Sequence, residues 1–253
     1  MRLTVLGKSP AWQDAGGACS GYLLRDEGIT LLMDCGAGVL AKLREQVAYT
    51  DVDAIVVSHL HPDHFIDLVP YAYGLLYGAE RAAGDTRPVL HAPPGARDAF
   101  RRVTGAWGSE HLIETAFDVR EYDPGDGVAA GPLALRFAPV PHYVPTYAIE
   151  VRAPGGARLS YGADHGPGPE IPIFARDTDL LLIEATLLVP EADEPRGHIT
   201  AGEAGGLARE AGARRVVVTH FSDQLDAARV ERDAAEAFGG PVALARAGDE
   251  YEI

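Results

Sequence analysis

A cluster of metal-ligand side chains follows directly on an apolar strand in the first half of the chain. The strand predicted at Ala54–Val57 runs through Ser58 into the motif His59-Leu60-His61-Pro62-Asp63-His64. Imidazoles two positions apart in an extended segment point to the same side, so His59 and His61 can bind one ion. The chain then turns at Pro62, which lets Asp63 and His64 face a second ion nearby. Nitrogen and carboxylate ligands of this kind suit Zn²⁺, and also Mn²⁺ or Fe.

Three more residues of metal-ligand type each follow an apolar strand later in the sequence. They are His142 after the predicted strand Leu133–Val140, Asp164 after Ala157–Gly162, and His220 after Arg215–Thr219. A single histidine after a strand is more often a hydrogen-bonded core or surface group than a ligand. Three such residues together indicate a two-metal site, because ligand-bearing loops gather at strand ends in layered α/β folds.

Apolar periodicity predicts an alternation of strands and helices along the whole chain. Strands are predicted at Arg2–Leu6, Gly21–Arg25, Thr30–Met33, Ala54–Val57, Pro88–His91, Phe117–Tyr122, Leu133–Val140, Thr146–Ala153, Ala157–Gly162, Leu180–Glu184, Arg215–Thr219 and Pro241–Ala245. Helices are predicted at Val39–Gln46, Phe65–Gly78, Pro94–Thr104, Ala201–Ala211 and Leu225–Ala237. No repeat, low-complexity tract or long linker divides the sequence, so residues 1–253 are predicted to form a single layered α/β domain.

The composition limits the partners and the location of the protein. A formal net charge of −15 disfavours nucleic acid as a partner, while a small anionic substrate stays compatible with it. Cys19 and Cys35 form neither a disulfide framework nor a CxxC pattern. No apolar run approaches the roughly 18 residues of a membrane span, and residues 1–7 predict a strand rather than a signal peptide. We therefore expect a reduced, cytoplasmic protein without membrane contact, and the sequence leaves monomer and homodimer both open.

The complete pattern of ligand residues resembles the metallo-β-lactamase superfamily. His-x-His-x-Asp-His is followed by a single His, Asp and His at strand ends, and the resemblance covers nearly the whole chain. It implies a four-layer βα–αβ sandwich that holds two divalent metal ions. It also implies a ligand set for each ion: His59, His61 and His142 for one, and Asp63, His64 and His220 for the other, with Asp164 bridging the two.

Within that superfamily the chain is similar to ribonuclease Z and its phosphodiesterase relatives. The similar segments are Val140–Glu150, Leu182–Thr186 and Gly197–Ala204. The resemblance implies that His198 contacts the substrate phosphate and helps to protonate the leaving oxygen, and that Glu184 supports it. The residues themselves add that Thr200 is a good helix N-cap with Glu203 three positions on, and a capped helix N-terminus favours a phosphate. For Glu184, a strand-end carboxylate without a catalytic task is the alternative interpretation.

The chain departs from ribonuclease Z in size. Ribonuclease Z typically carries a long Gly/Pro-rich arm that grips tRNA, whereas residues 145–164 here predict a tight hairpin. The resemblance then implies a small phosphodiester substrate such as a cyclic nucleotide, hydrolysed by attack of a metal-bridging hydroxide, with Asp63 also orienting the attacking water. The alternatives are a ribonuclease Z-like tRNA 3′-processing endonuclease, a lactone or ester hydrolase, and a metal-bound binding protein without turnover. The remaining histidines, His91, His111 and His165, are interpreted as structural or surface groups.

Overall fold

The computed structural model describes residues 1–26, 28–79, 87–192 and 195–253. Its strands are β1 (Arg2–Gly7), β2 (Gly21–Asp26), β3 (Ile29–Met33), β4 (Ala54–Val56), β5 (Val89–Ala92), β6 (Asp118–Glu121), β7 (Val128–Ala130), β8 (Leu133–Val140), β9 (Thr146–Arg152), β10 (Arg158–Tyr161), β11 (Leu180–Glu184), β12 (Val216–Thr219), β13 (Ala243–Leu244) and β14 (Glu250–Glu252). Its helices are α1 (Val39–Leu43), α2 (Pro62–Phe65), α3 (Leu68–Tyr77), α4 (Ala96–Gly105), α5 (Leu112–Ala116), α6 (Glu170–Phe174), α7 (Ala201–Ala211) and α8 (Ala227–Phe238), with a 3-10 turn at Tyr49–Asp51.

The strands form two mixed sheets. The first has the order β14-β1-β2-β3-β4-β5-β6, and the second has the order β13-β12-β11-β10-β9-β8-β7. In the first sheet β3 to β6 are parallel, and in the second β10 to β13 are parallel. The other pairs are antiparallel. Because parallel strands end at the same edge of a sheet, each sheet presents a row of carboxyl ends on which a site can be built.

Three apolar layers hold the sheets and helices together. Residues from both sheets, such as Leu24 and Leu182, share the core between the sheets. A second core lies between the first sheet and helices α1 to α5, and a third lies between the second sheet and α6 to α8. Strand β4 illustrates the layering, since Val56 packs into the core between the sheets while Ile55 packs against the helices. This arrangement confirms the predicted four-layer βα–αβ sandwich.

The structure corrects the sequence prediction mainly in short elements. The helix predicted at Phe65–Gly78 begins only at Leu68, as α3, because helical structure is interrupted after Phe65, which ends the short unpredicted helix α2. At the interruption, the carboxylate of Asp67 accepts a hydrogen bond from the backbone N–H of Leu40 in α1 (2.9 Å). The elements β7, β14, α5 and α6 were not predicted, and each spans five residues or fewer. Among the described residues, no helix is both long and apolar enough to cross a membrane.

Candidate metal centre

Strand ends bring the predicted ligand residues together. Strands β8, β10 and β12 run in the same direction in the second sheet, and they lead into His142, Asp164 and His220. From the first sheet, β4 leads into the histidine motif. His61 there has extended backbone angles (φ −76°, ψ 144°), and Pro62 is the first residue of α2, a position that proline favours. The helix start turns Asp63 and His64 toward the same point that the strand ends face.

Four of these residues form a group that we call the outer set: His59, His61, His142 and Asp164. Nδ1 of His61 lies 3.2 Å from Nε2 of His59 and 3.0 Å from Nε2 of His142. Oδ2 of Asp164 lies farther away, at 3.8 Å from Nε2 of His59 and 4.0 Å from Nε2 of His142. His61 keeps partial solvent exposure, so the outer set can be reached from outside.

A second group, the inner set, consists of Asp63, His64, Asp164 and His220. Oδ2 of Asp164 lies 3.3 Å from Nε2 of both His64 and His220. Oδ2 of Asp63 lies 3.4 Å from Nε2 of His64 and 3.3 Å from Nε2 of His220. All four residues are buried. Asp164 therefore points the same oxygen at both sets, as the sequence prediction of a bridging carboxylate requires.

The spacing and the unsatisfied atoms of the inner set fit a metal ion. Donor atoms placed tetrahedrally at 2.0–2.1 Å from Zn²⁺ lie roughly 3.3 Å from one another. The distances in the inner set match that value. Within the described part of the chain, Nε2 of His64 and Oδ1 of Asp164 are buried without a hydrogen-bond partner. Buried polar atoms rarely lack a partner, so an ion or a water molecule is expected to contact these two.

Electrostatics favour a cation in the same place. Burial holds the pKa of His59 well below its usual value and lowers that of His142 to about 4, so both imidazoles are neutral and able to bind a metal ion. Burial alone would raise the pKa of Asp63, but the hydrogen bond from His220 and the charge of His64 hold it below its ordinary value. Burial opposes protonation of His64, yet the charges of Asp164 and Asp34 raise its pKa well above the usual one. The inner set thus contains two ionised carboxylates, those of Asp63 and Asp164.

Hydrogen bonds fix the ring nitrogens that face away from the cluster. Four of these contacts are Ser58 Oγ with His59 Nδ1 (3.1 Å), Asp34 Oδ2 with His64 Nδ1 (2.8 Å), the carbonyl of Gly197 with His142 Nδ1 (2.6 Å), and Thr186 Oγ1 with His220 Nδ1 (2.8 Å). Such contacts set the ring orientation and leave the other nitrogen free for a metal ion. They are what a site with histidine ligands requires.

Asp34 is one supporting residue of this site that the sequence prediction missed although its pattern could have identified it. Its buried carboxylate accepts hydrogen bonds from the backbone and hydroxyl of Ser58 (2.7 and 2.8 Å) and from the hydroxyl of Tyr161 (2.9 Å), besides contacting His64. Its φ is +57°, an uncommon value for a residue other than glycine. Asp34 directly follows strand β3, so the strand-end pattern that identified Asp164 was available here too.

His198 and Glu184 lie beside the two sets. Nδ1 of His198 is 3.0 Å from Oε1 of the buried Glu184, and the His198 ring centre lies 5.0 Å from that of His142 and 5.7 Å from that of His220. Burial would lower the pKa of His198, but the charge and hydrogen bond of Glu184 raise it to about 9. Glu184 also accepts a hydrogen bond from the backbone of His165 (2.7 Å) and one from the Thr186 hydroxyl (2.6 Å). Its contacts make it the group that holds His198 in place.

The remaining predicted features can also be located. Thr200 caps α7, and its side chain and that of Glu203 exchange hydrogen bonds with each other's backbone N–H, as the sequence predicted. His91 and His165 are buried, whereas the side chain of His111 is 70% exposed and contacts Glu114. None of these three histidines belongs to a ligand group among the described residues.

Comparison with known proteins gives one family and several relatives. A family model described as a beta-lactamase superfamily domain matches residues 30–221. The probable metallo-hydrolase YhfI of Bacillus subtilis (strain 168) is 29% identical over 100% of both chains. A ribonuclease Z of Myxococcus xanthus is 28% identical in an alignment of 308 positions that covers 100% of this chain and 98% of the relative. Since this chain has 253 residues, the relative carries segments that are missing here.

Solved structures agree with that result. The crystal structure of the metallo-beta-lactamase fold protein YhfI from Bacillus subtilis has a TM-score of 0.89 and 28% identity, covering 99% of this chain and 98% of that one. The short form of human tRNase Z has a TM-score of 0.76 and 23% identity, with coverage of 100% and 99%. Unliganded yeast PDE1 has a TM-score of 0.73 and 14% identity, with coverage of 98% for both chains. The last two show a common fold alone.

Proposed function

Because the chain belongs to the beta-lactamase superfamily and is a metal-dependent hydrolase, we propose that it hydrolyses small phosphodiesters such as cyclic nucleotides. In this proposal the outer set and the inner set each hold a divalent ion, with Zn²⁺ favoured by the imidazole and carboxylate donors. Ions bound there would act as Lewis acids on phosphoryl oxygens and would lower the pKa of bound water to about 7.

The observation that carries the proposal is the placement of His198. Its Nδ1 is held by Glu184, which leaves Nε2 available at a ring that is close to those of both His142 and His220. A phosphodiester at the two sets would therefore have its leaving oxygen within reach of a proton donor. In the proposed reaction His198 gives its Nε2 proton to the departing alkoxide, and Glu184 positions the imidazole and stabilises its charge. Asp63, besides binding metal, orients the attacking water.

Size and charge support a small substrate over tRNA. The hairpin between β9 and β10 closes through a hydrogen bond from the N–H of Gly156 to the carbonyl of Ala153 (2.9 Å), so no arm extends from this point. The alignment with the ribonuclease Z of Myxococcus xanthus also contains positions that this chain lacks. A net charge of −15 repels a long polyanion more strongly than a diester with a single negative charge.

A substrate panel on protein with quantified metal content tests the proposal. The panel contains 3′,5′-cyclic AMP, bis(4-nitrophenyl) phosphate, a precursor tRNA and an acyl homoserine lactone, each assayed with the native protein and with His59→Ala as the metal-deficient control. We expect turnover of the two diesters by the native protein and none by the control. Cleavage of the precursor tRNA at a higher kcat/KM than either diester would instead establish a ribonuclease, and turnover of the lactone alone would establish an ester hydrolase.

We propose a cytoplasmic location for this reaction. Cys19 and Cys35 are both unpaired and buried, as expected of a protein kept in a reducing compartment. Burial also raises the pKa of the Cys19 thiol to about 12, which keeps it protonated and unreactive.

A further inference from the structure

Tyr143 is an exposed aromatic residue directly next to the candidate metal centre. It follows His142 in the chain, and its ring centre lies 5.0 Å from that of His142 and 5.8 Å from that of His198. In spite of these contacts, 54% of the residue is exposed to solvent. An aromatic ring that touches two site residues and still faces solvent is available to a bound molecule.

The ring is held in a fixed position before any ligand arrives. Its hydroxyl donates a hydrogen bond to Oε2 of Glu191 (3.0 Å). On another side it packs against Gly197 so closely that a Cβ on that glycine would lie 2.4 Å from the ring. A ring fixed in this way loses little conformational freedom when a ligand stacks on it, so more of the contact energy appears as affinity.

The location of the ring indicates which part of a substrate it meets, and this step rests on the proposed function. If His198 donates its proton to the leaving oxygen, the leaving group must lie on the His198 side of the phosphate. Tyr143 lies on that side, in contact with His198. Glu191 accepts the hydrogen bond of the Tyr143 hydroxyl, so it adds an exposed negative charge beside the ring.

We infer that Tyr143 and Glu191 form a leaving-group subsite that selects phosphodiesters whose leaving group is flat, aromatic and uncharged. The ring of Tyr143 provides the stacking face. The carboxylate of Glu191 orients that ring and repels a leaving group that carries its own negative charge. An aryl oxide fits this description directly, a nucleoside leaving through its sugar oxygen fits it by way of its base, and a leaving group with a second phosphate does not.

Two diesters that share the same methyl phosphate part test the stacking role. Methyl 4-nitrophenyl phosphate has an aromatic leaving group, and methyl 2,2,2-trifluoroethyl phosphate has a small alkyl one. The ratio of variant to native kcat/KM is taken within each substrate, which removes the difference in leaving-group acidity. Stacking of one ring on an aromatic side chain contributes about 1–3 kcal/mol. For Tyr143→Ala we therefore expect a loss of about tenfold on the aryl diester, mainly through KM, and less than about twofold on the alkyl diester.

Matched variants separate stacking from a structural effect. Tyr143→Phe keeps the ring and should retain most of the aryl activity. Tyr77→Ala removes a ring that is 76% exposed and lies against Tyr73, in a pocket whose lining includes no residue of either ligand set, and should change neither substrate. Equal losses on both diesters for Tyr143→Ala, or a fall in its metal content, would mean that Tyr143 only supports His142 and His198. No loss on either diester would exclude contact with the substrate.

The charge of Glu191 is tested with a charged leaving group. Glu191→Gln keeps an acceptor for the Tyr143 hydroxyl but removes the charge. We expect it to raise kcat/KM about threefold on methyl 4-carboxyphenyl phosphate, a gain typical of one exposed charge pair, and to leave the nitrophenyl diester unchanged. An equal response of the two substrates would remove Glu191 from the subsite. If the native protein hydrolyses no diester at all, the proposed function and the subsite are both wrong. If the native protein hydrolyses diesters, these variants test the subsite alone.

Discussion

The outer set and the inner set share Asp164 but are built differently. In the inner set, four donor separations lie between 3.3 and 3.4 Å, and all four residues are buried. In the outer set, the separations range from 3.0 to 4.0 Å, and His61 is partly open to solvent. The inner set thus matches the donor spacing around a bound ion as it stands, whereas in the outer set the histidine donors are slightly too close together and the Asp164 oxygen is too far away.

Backbone conformation accounts for part of this difference. Among the described residues, four that are not glycine have a positive φ, and three of them lie at the site: Asp34, Ala163 and His220. His220 belongs to the inner set, Asp34 holds His64, and Ala163 precedes the shared Asp164. Such conformations cost about 1–3 kcal/mol each and persist only where the surrounding structure imposes them. We therefore expect the inner set to hold its ion tightly and the outer set to exchange its ion with solvent.

The largest effect is expected at the residue that both sets share. Asp164→Asn removes the charge that faces both ions, so we expect loss of both from the purified protein and a fall in kcat of at least about 10³-fold. Elemental analysis and a diester assay measure the two quantities. Asp177→Asn is the matched control, because Asp177 also has a positive φ (54°) but is exposed and outside the sets. If Asp164→Asn still bound two ions, the shared role of Asp164 would be wrong.

A change at His198 separates catalysis from metal binding in either set. His198→Gln removes the proton donor but none of the proposed ligands, so we expect unchanged metal content and a loss in kcat of about 10²-fold on diesters with alkyl leaving groups. The loss should be smaller for 4-nitrophenyl esters, because nitrophenolate departs without a proton. His111→Gln, at a histidine with a 70% exposed side chain, is the control. A loss of metal in His198→Gln would place that residue among the ligands instead.

The two sets also differ in the residues that support them. Asp34→Asn keeps a residue that tolerates positive φ but removes the charge that holds His64, so we expect the inner ion to bind about 10- to 100-fold more weakly. Ser58→Ala removes a hydroxyl that contacts His59 and also donates to Asp34, so it should weaken both ions, whereas Asp34→Asn should weaken mainly the inner one. Competition with chelators of graded affinity measures both constants. Equal weakening of both ions by both variants would show that the two sets act as one.

The proposed metal ligands and the layered arrangement of sheets and helices could be predicted because both depend on local sequence patterns. An apolar strand followed at once by His or Asp places that side chain at a strand end, and the parallel strands then bring those ends together. The predicted strands are all present for the same reason, since their alternating or continuous apolar residues are buried on the expected faces. The roles of the proposed ligands remain predictions, although the structure brings all seven side chains into two groups.

What could not be predicted depends on contacts between distant parts of the chain. Strand β14 has the polar sequence Glu-Tyr-Glu and exists because it pairs with β1. The break between α2 and α3 is accompanied by a hydrogen bond that Asp67 accepts from a different helix. His142 is held by the carbonyl of Gly197, 55 residues away along the chain. His220 is held by the hydroxyl of Thr186, 34 residues away. No local pattern marks such residues.

The smallest effect is expected at Glu114, whose titration sets how far the pH can be lowered before the fold itself loses stability. Glu114 lies far from both sets in the chain and pairs with Arg97 (2.9 Å) and Arg101 (2.8 Å). Its hydrogen bond with Arg101 lowers its pKa to about 2 from the usual 4.5. A lowered pKa stabilises the folded state above pH 4.5, and this contribution is lost as the pH falls from 4.5 toward 2.

Both arginines are partly exposed, so we expect Glu114→Gln to lower the free energy of unfolding by only about 1 kcal/mol at neutral pH. The difference from the native protein should shrink below pH 4.5. Urea unfolding at several pH values measures it, with Glu110→Gln as the control. Metal release that begins above pH 4.5 is then caused by titration of the ligand sets, because the stabilisation from Glu114 is still fully present at that pH. A constant difference across the whole pH range would mean that Glu114 does not titrate in this window.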